Sequence, residues 1–256
     1  MSAGVTGERV VTSAGGFNPT WQRHVAAYAL CAGFLPQGRV ADLGCGVGHS
    51  FDRLAPRETV GVDVDPRALE GQPRETVVAD MRELPFADGE FDGVLAVQSI
   101  EHVPDADRAL AEAARILRPE GAAVFVTPNR LTFARPDEII DPYHYVEYDP
   151  AQLRELCEVH FGSVELHGIF GSQRYSQLVA EQLVRLDRLL RRDPLRLRRL
   201  IPRSLRQRLY DRRLASERSE PDPRAAAITV DDFELRVDAL QEAHDLVAVC
   251  HVPGRG

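Results

Sequence analysis

The segment Asp42-Leu-Gly44-Cys-Gly46-Val-Gly48 constrains the fold more than any other part of the chain, because it follows the short apolar run Arg39 to Leu43. Alternating glycines at the end of a strand let the backbone turn tightly and approach a ligand with no side chain in the way. The free amides that follow, at the start of a helix, suit a polar or anionic group. The segment therefore predicts a strand, a ligand-binding turn and a helix opening behind it. The spacing is GxGxG rather than GxGxxG, and the next strand, Thr59-Val-Gly-Val-Asp63, ends on an acid 19 residues after Gly44. A carboxylate there can accept both ribose hydroxyls of an adenosine, a placement shared by dinucleotide and adenosyl cofactors.

The rest of the chain continues the alternation. Trp21 to Leu35 has helical spacing and stops at Pro36-Gln-Gly38. Thr76 to Ala79 reads as a third strand and Phe91 to Val97 as a fourth, followed by a helix over Ala106 to Leu117, a turn at Pro119-Glu-Gly121 and a fifth strand over Ala122 to Val126. Pro150 to Val159 is helical, and Ser163 to Leu166 and Leu246 to His251 read as the sixth and seventh strands. This pattern predicts an α/β fold with a Rossmann-like, mostly parallel seven-stranded sheet covered by helices on both faces. Between strands six and seven lies a helical insertion. Leu178, Leu183, Leu186 and Leu190 fit one helix, Pro194 and Pro202 interrupt it, and Leu205 with Leu209 continues a second. The expected organisation is an N-terminal helical segment (1–36), a cofactor-binding core (37–171), an arginine-rich insertion or lid (172–230) and a final strand completing the core (231–256).

Composition narrows the class. With 256 residues, 44% hydrophobic and 27% charged, the chain can bury a real core, which excludes global disorder. The longest uncharged apolar run, Val25 to Leu35, has 11 residues, short of the roughly 20 that cross a bilayer. No basic-then-apolar leader opens the sequence, so a cytoplasmic location is expected. Cys31, Cys45, Cys157 and Cys250 form no CxxC pair and read as reduced, core-filling thiols, with only Cys45 near a ligand. The net charge of −8 hides an asymmetry: between Ser172 and Arg213 stand 13 arginines and four acids, a balance of +9, which leaves −17 elsewhere. Any contact with a polyanion or membrane surface is expected to be local to that segment.

From Val40 to Val126 the sequence resembles the class I S-adenosylmethionine-dependent methyltransferases of the small-molecule type. The resemblance rests on several ordered motifs: VADLGCGVGHS, VGVDVD, VVADMRELPFADGEFDGVLAVQSIEHV and ALAEAARILRPEGAAVFVTPNR. It implies S-adenosylmethionine as the cofactor, with Gly44, Cys45 and Gly46 lining its methionine part and Asp42 near its amino group. It further implies that Asp63, followed by Val64, holds the ribose, that Asp80 and the Met81 backbone meet the adenine, and that Gln98 lies beside the methionine end. The family's last strand is antiparallel, which suits strands six and seven. The residues agree with this reading. Acids at successive strand ends offer acceptors to hydroxyls and amines, and no basic residue is placed for a pyrophosphate.

Methyl transfer needs donor and acceptor held in line and water excluded, and a hydroxyl acceptor also needs a base. Glu101 and His102 after strand four, and His144 with Glu147 in DPYHYVEY after strand five, are the candidates. Of these, His144 is the expected base, since loops over the strand ends shape acceptor pockets and its imidazole can take a proton near neutral pH. The element also resembles that of the ubiquinone-pathway and small-RNA 2'-O-methyltransferases, where Glu-x-x-Glu-His binds a divalent metal. Here Gln98 stands for the first glutamate and removes a charge, so no metal is expected. Phe133, Tyr143, Tyr145 and Tyr148 are candidates for an apolar acceptor pocket. The expected function is methylation of a small-molecule acceptor, on a hydroxyl oxygen of a sugar or specialised metabolite. The alternatives are an RNA 2'-O-methyltransferase, supported by the arginine segment and opposed by the overall acidity, and a non-catalytic adenosyl-cofactor-binding module. A homodimer through the insertion completes the expectations.

Overall fold

The computed structural model describes residues 12–133, 135, 137–193, 195–218 and 222–253. Residues 1–11 and Pro194, both invoked above, lie outside that set. Helix α1 (Asn18–Cys31) precedes strand β1 (Arg39–Leu43), and β2 (Glu58–Asp63), the one-turn α2 (Pro66–Leu69) and β3 (Glu75–Val78) follow. Then come β4 (Phe91–Val97), α3 (Ala106–Ile116), β5 (Leu117–Pro128), the short α4 (Arg130–Phe133), α5 (Pro150–Glu158) and β6 (Ser163–Gly171). The chain ends with α6 (Gln173–Leu190), α7 (Arg203–Arg218), α8 (Pro223–Ala226), β7 (Phe233–Arg236) and β8 (Asp245–His251).

The strands form one sheet in the order β3-β2-β1-β4-β5-β8-β6-β7. The pairs β2–β3, β1–β2, β1–β4 and β4–β5 are parallel; β8 runs antiparallel between β5 and β6, and β7 is antiparallel to β6. Most residues of the central strands β1, β4 and β5 are buried, because both faces of the sheet are covered. On one face α3 and α5 bury Leu110, Ile116 and Leu153 against Phe91 and Phe125; on the other α1 and α6 bury Tyr28, Cys31 and Leu178 against Val124 and Ile169. Polar caps fix where these helices begin: Asp149 and Gln152 form a reciprocal capping box on α5, and Asp105 accepts the Arg108 amide on α3. All four cysteines are buried and unpaired.

Three expectations need correction. The sheet has eight strands, not seven, and two of them run antiparallel. The additional strand, β7, is a four-residue edge pairing Phe233 with Gly171 and Arg236 with Gly168. Phe233 is buried and Glu234 exposed, so its period of two is real but too short to stand out in sequence. The helical insertion accordingly leads into this edge strand and not directly into the last one. Finally, the glycine turn opens no α-helix. Phe51–Leu54 makes a single 3-10 turn, since only a few residues separate Gly48 from β2 and Pro56 among them has no amide to donate.

Candidate functional site

The order of β2, β1 and β4 places a topological switch point at the carboxyl end of β1, where open α/β sheets bind ligands. A cavity of about 250 Å³ lies there, walled by Gly44, Cys45, Gly46, Asp63, Val64, Asp80, Met81, Gln98 and Ser99, with His24, Tyr28, His49 and His102 closing it from other elements. Gly44 adopts φ +70°, and a Cβ on it would fall 2.5 Å from the Ser99 Cβ, so only glycine fits this turn. The Gly44 and Cys45 amides donate to the Val62 carbonyl at 2.8 and 3.0 Å.

Asp63 is the best prepared of the predicted site residues. Its Oδ2 accepts the Gly46 amide at 3.0 Å and its Oδ1 the Asp65 amide at 2.9 Å. An ionised carboxylate only accepts, which suits ribose hydroxyls. Asp80 is gripped by Arg82, whose guanidinium nitrogens reach its carboxylate at 2.6 and 3.0 Å and hold its pKa below the usual range. Gln98 ends β4 at φ 52°, an uncommon conformation for a side-chain-bearing residue. Its Nε2 donates to Asp245 Oδ1 at 2.7 Å. These residues fit an adenosyl group: acceptors for hydroxyls and amines surround a glycine cradle, and burial lowers His24 to about 3 and His49 to about 4, keeping both imidazoles neutral.

Asp42 does not join them. It is fully buried behind the turn, where Oδ1 accepts the Tyr28 hydroxyl at 2.8 Å and Oδ2 accepts the Arg74 guanidinium at 2.8 Å. Arg74 in turn donates to Gln72 Oε1 at 3.0 Å, and Gln72 Nε2 donates to the Gly46 carbonyl at 2.8 Å. The chain Asp42–Arg74–Gln72 thus braces the glycine turn from below. No sequence signal marked Arg74 or Gln72, which reach the motif from the segment before β3.

The three proposed catalytic residues do converge. Glu101, His102 and His144 offer ligand atoms all within 4.8 Å of one another. Glu101 is fully buried; Thr127 donates to its Oε2 at 3.0 Å while Oε1 has no partner among the described residues, and burial pushes its pKa up to about 7. His144 Nδ1 lies 3.0 Å from Glu147 Oε1. Burial opposes the charged imidazole, but the Glu147 hydrogen bond and the Asp141 and Glu101 charges outweigh it and raise the pKa.

A second cavity, of about 360 Å³, shares His24, Gln98 and His102 with the first and adds His144, Phe133, Tyr175 and Leu178. Inner faces of α6 and α7 form much of its wall through Leu183, Leu186, Tyr210 and Leu214. Of the aromatic cluster, Phe133 alone lines it: Tyr148 is buried, Tyr143 donates to Asp211 at 2.6 Å, and Tyr145 lies exposed beneath Arg203.

A doubly covered sheet with a glycine turn and an acid at the next strand end defines an α/β protein with a site suited to an adenosine-containing cofactor. Comparison with known proteins specifies it further. Residues 41–125 match the methyltransferase domain family. A probable S-adenosylmethionine-dependent methyltransferase of Mycobacterium tuberculosis is 34% identical over 185 residues, 69% of this chain and 68% of that protein. One from Mycolicibacterium smegmatis is 29% identical over 97% of this chain and 95% of its own length. Among solved structures, a Thermotoga maritima S-adenosylmethionine-dependent methyltransferase, described as a possible histamine N-methyltransferase, shares the fold with a TM-score of 0.57 at 18% identity, covering 92% of this chain and 91% of that one. The chain belongs to the class I S-adenosylmethionine-dependent methyltransferases and uses S-adenosylmethionine as cofactor.

Proposed function

We propose that the protein methylates a hydroxyl oxygen of a small-molecule acceptor, a sugar or specialised metabolite, with His144 as the general base. The observation that carries this reading is the His144–Glu147 pair, whose imidazole lines the second cavity next to His102, a residue that both cavities share. With Nδ1–H donated to Glu147, Nε2 is left as the proton acceptor, so Glu147 acts as a positioning residue that fixes the tautomer. S-adenosylmethionine supplies an activated methyl group on a sulfonium. An acceptor hydroxyl in the second cavity would give its proton to His144 as its oxygen takes the methyl group and the carbon–sulfur bond breaks, with S-adenosylhomocysteine as the leaving group; Gln98 and His102, which line both cavities, stand between the two sites. Residues 172–230 act as a cap over the acceptor and limit water access. Methylation of oxygen is supported by a relative in Alkalilimnicola ehrlichii, a ubiquinone biosynthesis O-methyltransferase 35% identical over 114 residues.

The test is methyl transfer to a panel of monosaccharides and phenols. His144→Ala lowers single-turnover transfer by ~100- to 10,000-fold, the usual contribution of a positioned base, while affinity for S-adenosylhomocysteine stays unchanged. Full activity in that variant removes the role from His144.

A second reading rests on the unpartnered Glu101 Oε1 beside two imidazoles. Two histidines and a carboxylate suit a divalent transition metal. Glu101, His102 and His144 would hold it, and it would polarise the acceptor oxygen. Loss of activity with a chelator, and its return with added metal, favours this reading over a metal-free base.

A further inference from the structure

The arginines of the cap fall into two sets. Some are paired with acids: Arg174 with Asp232, Arg191 with Asp187, Arg196 with Asp137, and Arg198 and Arg199 with Glu138. Arg203 donates to the Pro142 and Tyr143 carbonyls and stacks 3.6 Å over the Tyr145 ring. By contrast, Arg188, Arg192, Arg208 and Arg212 are exposed, and among the described residues no carboxylate pairs with them.

Exposed leucines lie among these arginines along the chain. Leu195, Leu197 and Leu200, at the tip joining α6 to α7, are 78%, 57% and 81% exposed. On α7 the exposed Leu205, Arg208, Leu209 and Arg212 recur at one-turn spacing and form a single face. The opposite face is already engaged, since Arg203 and Gln207 donate to Pro142 and Tyr210 lines the second cavity.

We propose that the exposed side chains of residues 188–193 and 195–212 dock on an anionic lipid bilayer, with the leucines entering the headgroup region and the four unpaired arginines against lipid phosphates. Exposed aliphatic side chains beside unneutralised arginines are what an interfacial segment presents to anionic lipid. The chain outside Ser172–Arg213, at −17, is repelled by the same membrane, so docking is confined to this segment and orients the molecule. A second copy fits less well, because a two-fold contact through this patch sets the arginines against each other. RNA also fits less well, since leucines offer no ring for bases to stack on. The proposal does not depend on the methyl acceptor and is tested without cofactor.

The experiment is co-sedimentation of the full chain with vesicles of phosphatidylcholine alone or mixed with phosphatidylglycerol, over a salt series. Binding to the mixed vesicles only, weakening with salt, is expected. Each basic residue at an anionic surface is worth about fivefold in partitioning, so Arg192→Gln with Arg208→Gln weakens binding by roughly 25-fold on that basis. Leu195→Glu with Leu200→Glu weakens it by about a hundredfold or more, from the lost apolar burial, with the unfolding midpoint unchanged. No binding at low salt, equal binding to neutral vesicles, or binding indifferent to the leucine pair overturns the proposal. So does a gel shift with single-stranded RNA in place of vesicle binding, or an oligomer that dissociates when the leucines are replaced.

Discussion

Removing the Asp42 carboxylate isolates a buried guanidinium, and the consequence can be worked from the geometry. Asp42 is fully buried, and it holds Arg74 at 2.8 Å and the Tyr28 hydroxyl at 2.8 Å. Burial raises the Asp42 pKa in spite of Arg74, the mark of a pair whose desolvation cost rivals its attraction. For such a pair, deleting one partner is far worse than deleting both. Asp42→Ala should destabilise the protein by about 3–5 kcal/mol, a large share of the roughly 5–15 kcal/mol available to a domain. The thermal midpoint should fall by roughly 10 °C. Arg74→Met added to Asp42→Ala should recover about 2 kcal/mol or more, a coupling of the size found between contacting residues. Urea unfolding of the wild type, both single variants and the double gives the full cycle. Additive losses would refute the coupling. Unchanged stability together with lost affinity for S-adenosylhomocysteine would instead return Asp42 to the cofactor contact that the motif suggested.

Asp63→Ala should weaken S-adenosylhomocysteine binding roughly ten- to a hundredfold in calorimetry, by loss of about 1.5–3 kcal/mol of charge-assisted hydrogen bonding; unchanged affinity would dismiss the ribose role. Arg174 holds the Asp232 pKa down to about 2, with Ser172 and the Thr229 amide adding to it. The resulting stabilisation is complete above the ordinary carboxylate range and disappears as pH falls through about 2. With Arg174 partly in solvent, Asp232→Asn should cost about 1–2 kcal/mol at neutral pH, and that deficit should shrink in acid; a deficit independent of pH would show that packing at the start of α6, not the charge, is responsible. Under the base reading, extensive dialysis against a chelator should leave activity intact, and elemental analysis of the purified protein decides whether the Glu101–His102–His144 cluster carries a metal.

The parts of the fold legible in sequence were those governed by local pattern. Apolar runs of four to seven residues gave the parallel strands, and the spacing from Gly44 to Asp63 located the cavity, because both depend on neighbours in the chain. What stayed hidden depends on residues distant in sequence. The motif carboxylate Asp42 points away from the cavity because Tyr28 and Arg74, 14 and 32 residues away, close on it. β7 gained its strand geometry from pairing with β6 more than from its own four residues. His144 and Glu147 stand three residues apart and could be read as a pair, whereas their approach to Glu101 and His102 required the loop after β5 to fold back over β4, where the Tyr145 amide donates to the Glu101 carbonyl at 2.8 Å. Which arginines of the segment are paired likewise depends on acids distant in sequence, such as Glu138 for Arg198 and Arg199.

The central claim, transfer of a methyl group to oxygen with His144 as base, is tested most directly by isotope-labelled S-adenosylmethionine in single-turnover reactions with the monosaccharide and phenol panel, read by mass spectrometry. The account predicts a labelled methyl ether whose rate of formation falls by ~100-fold or more in His144→Ala, with S-adenosylhomocysteine binding preserved. A label found on nitrogen or carbon, or a His144→Ala variant that forms the ether at the wild-type rate, would contradict it.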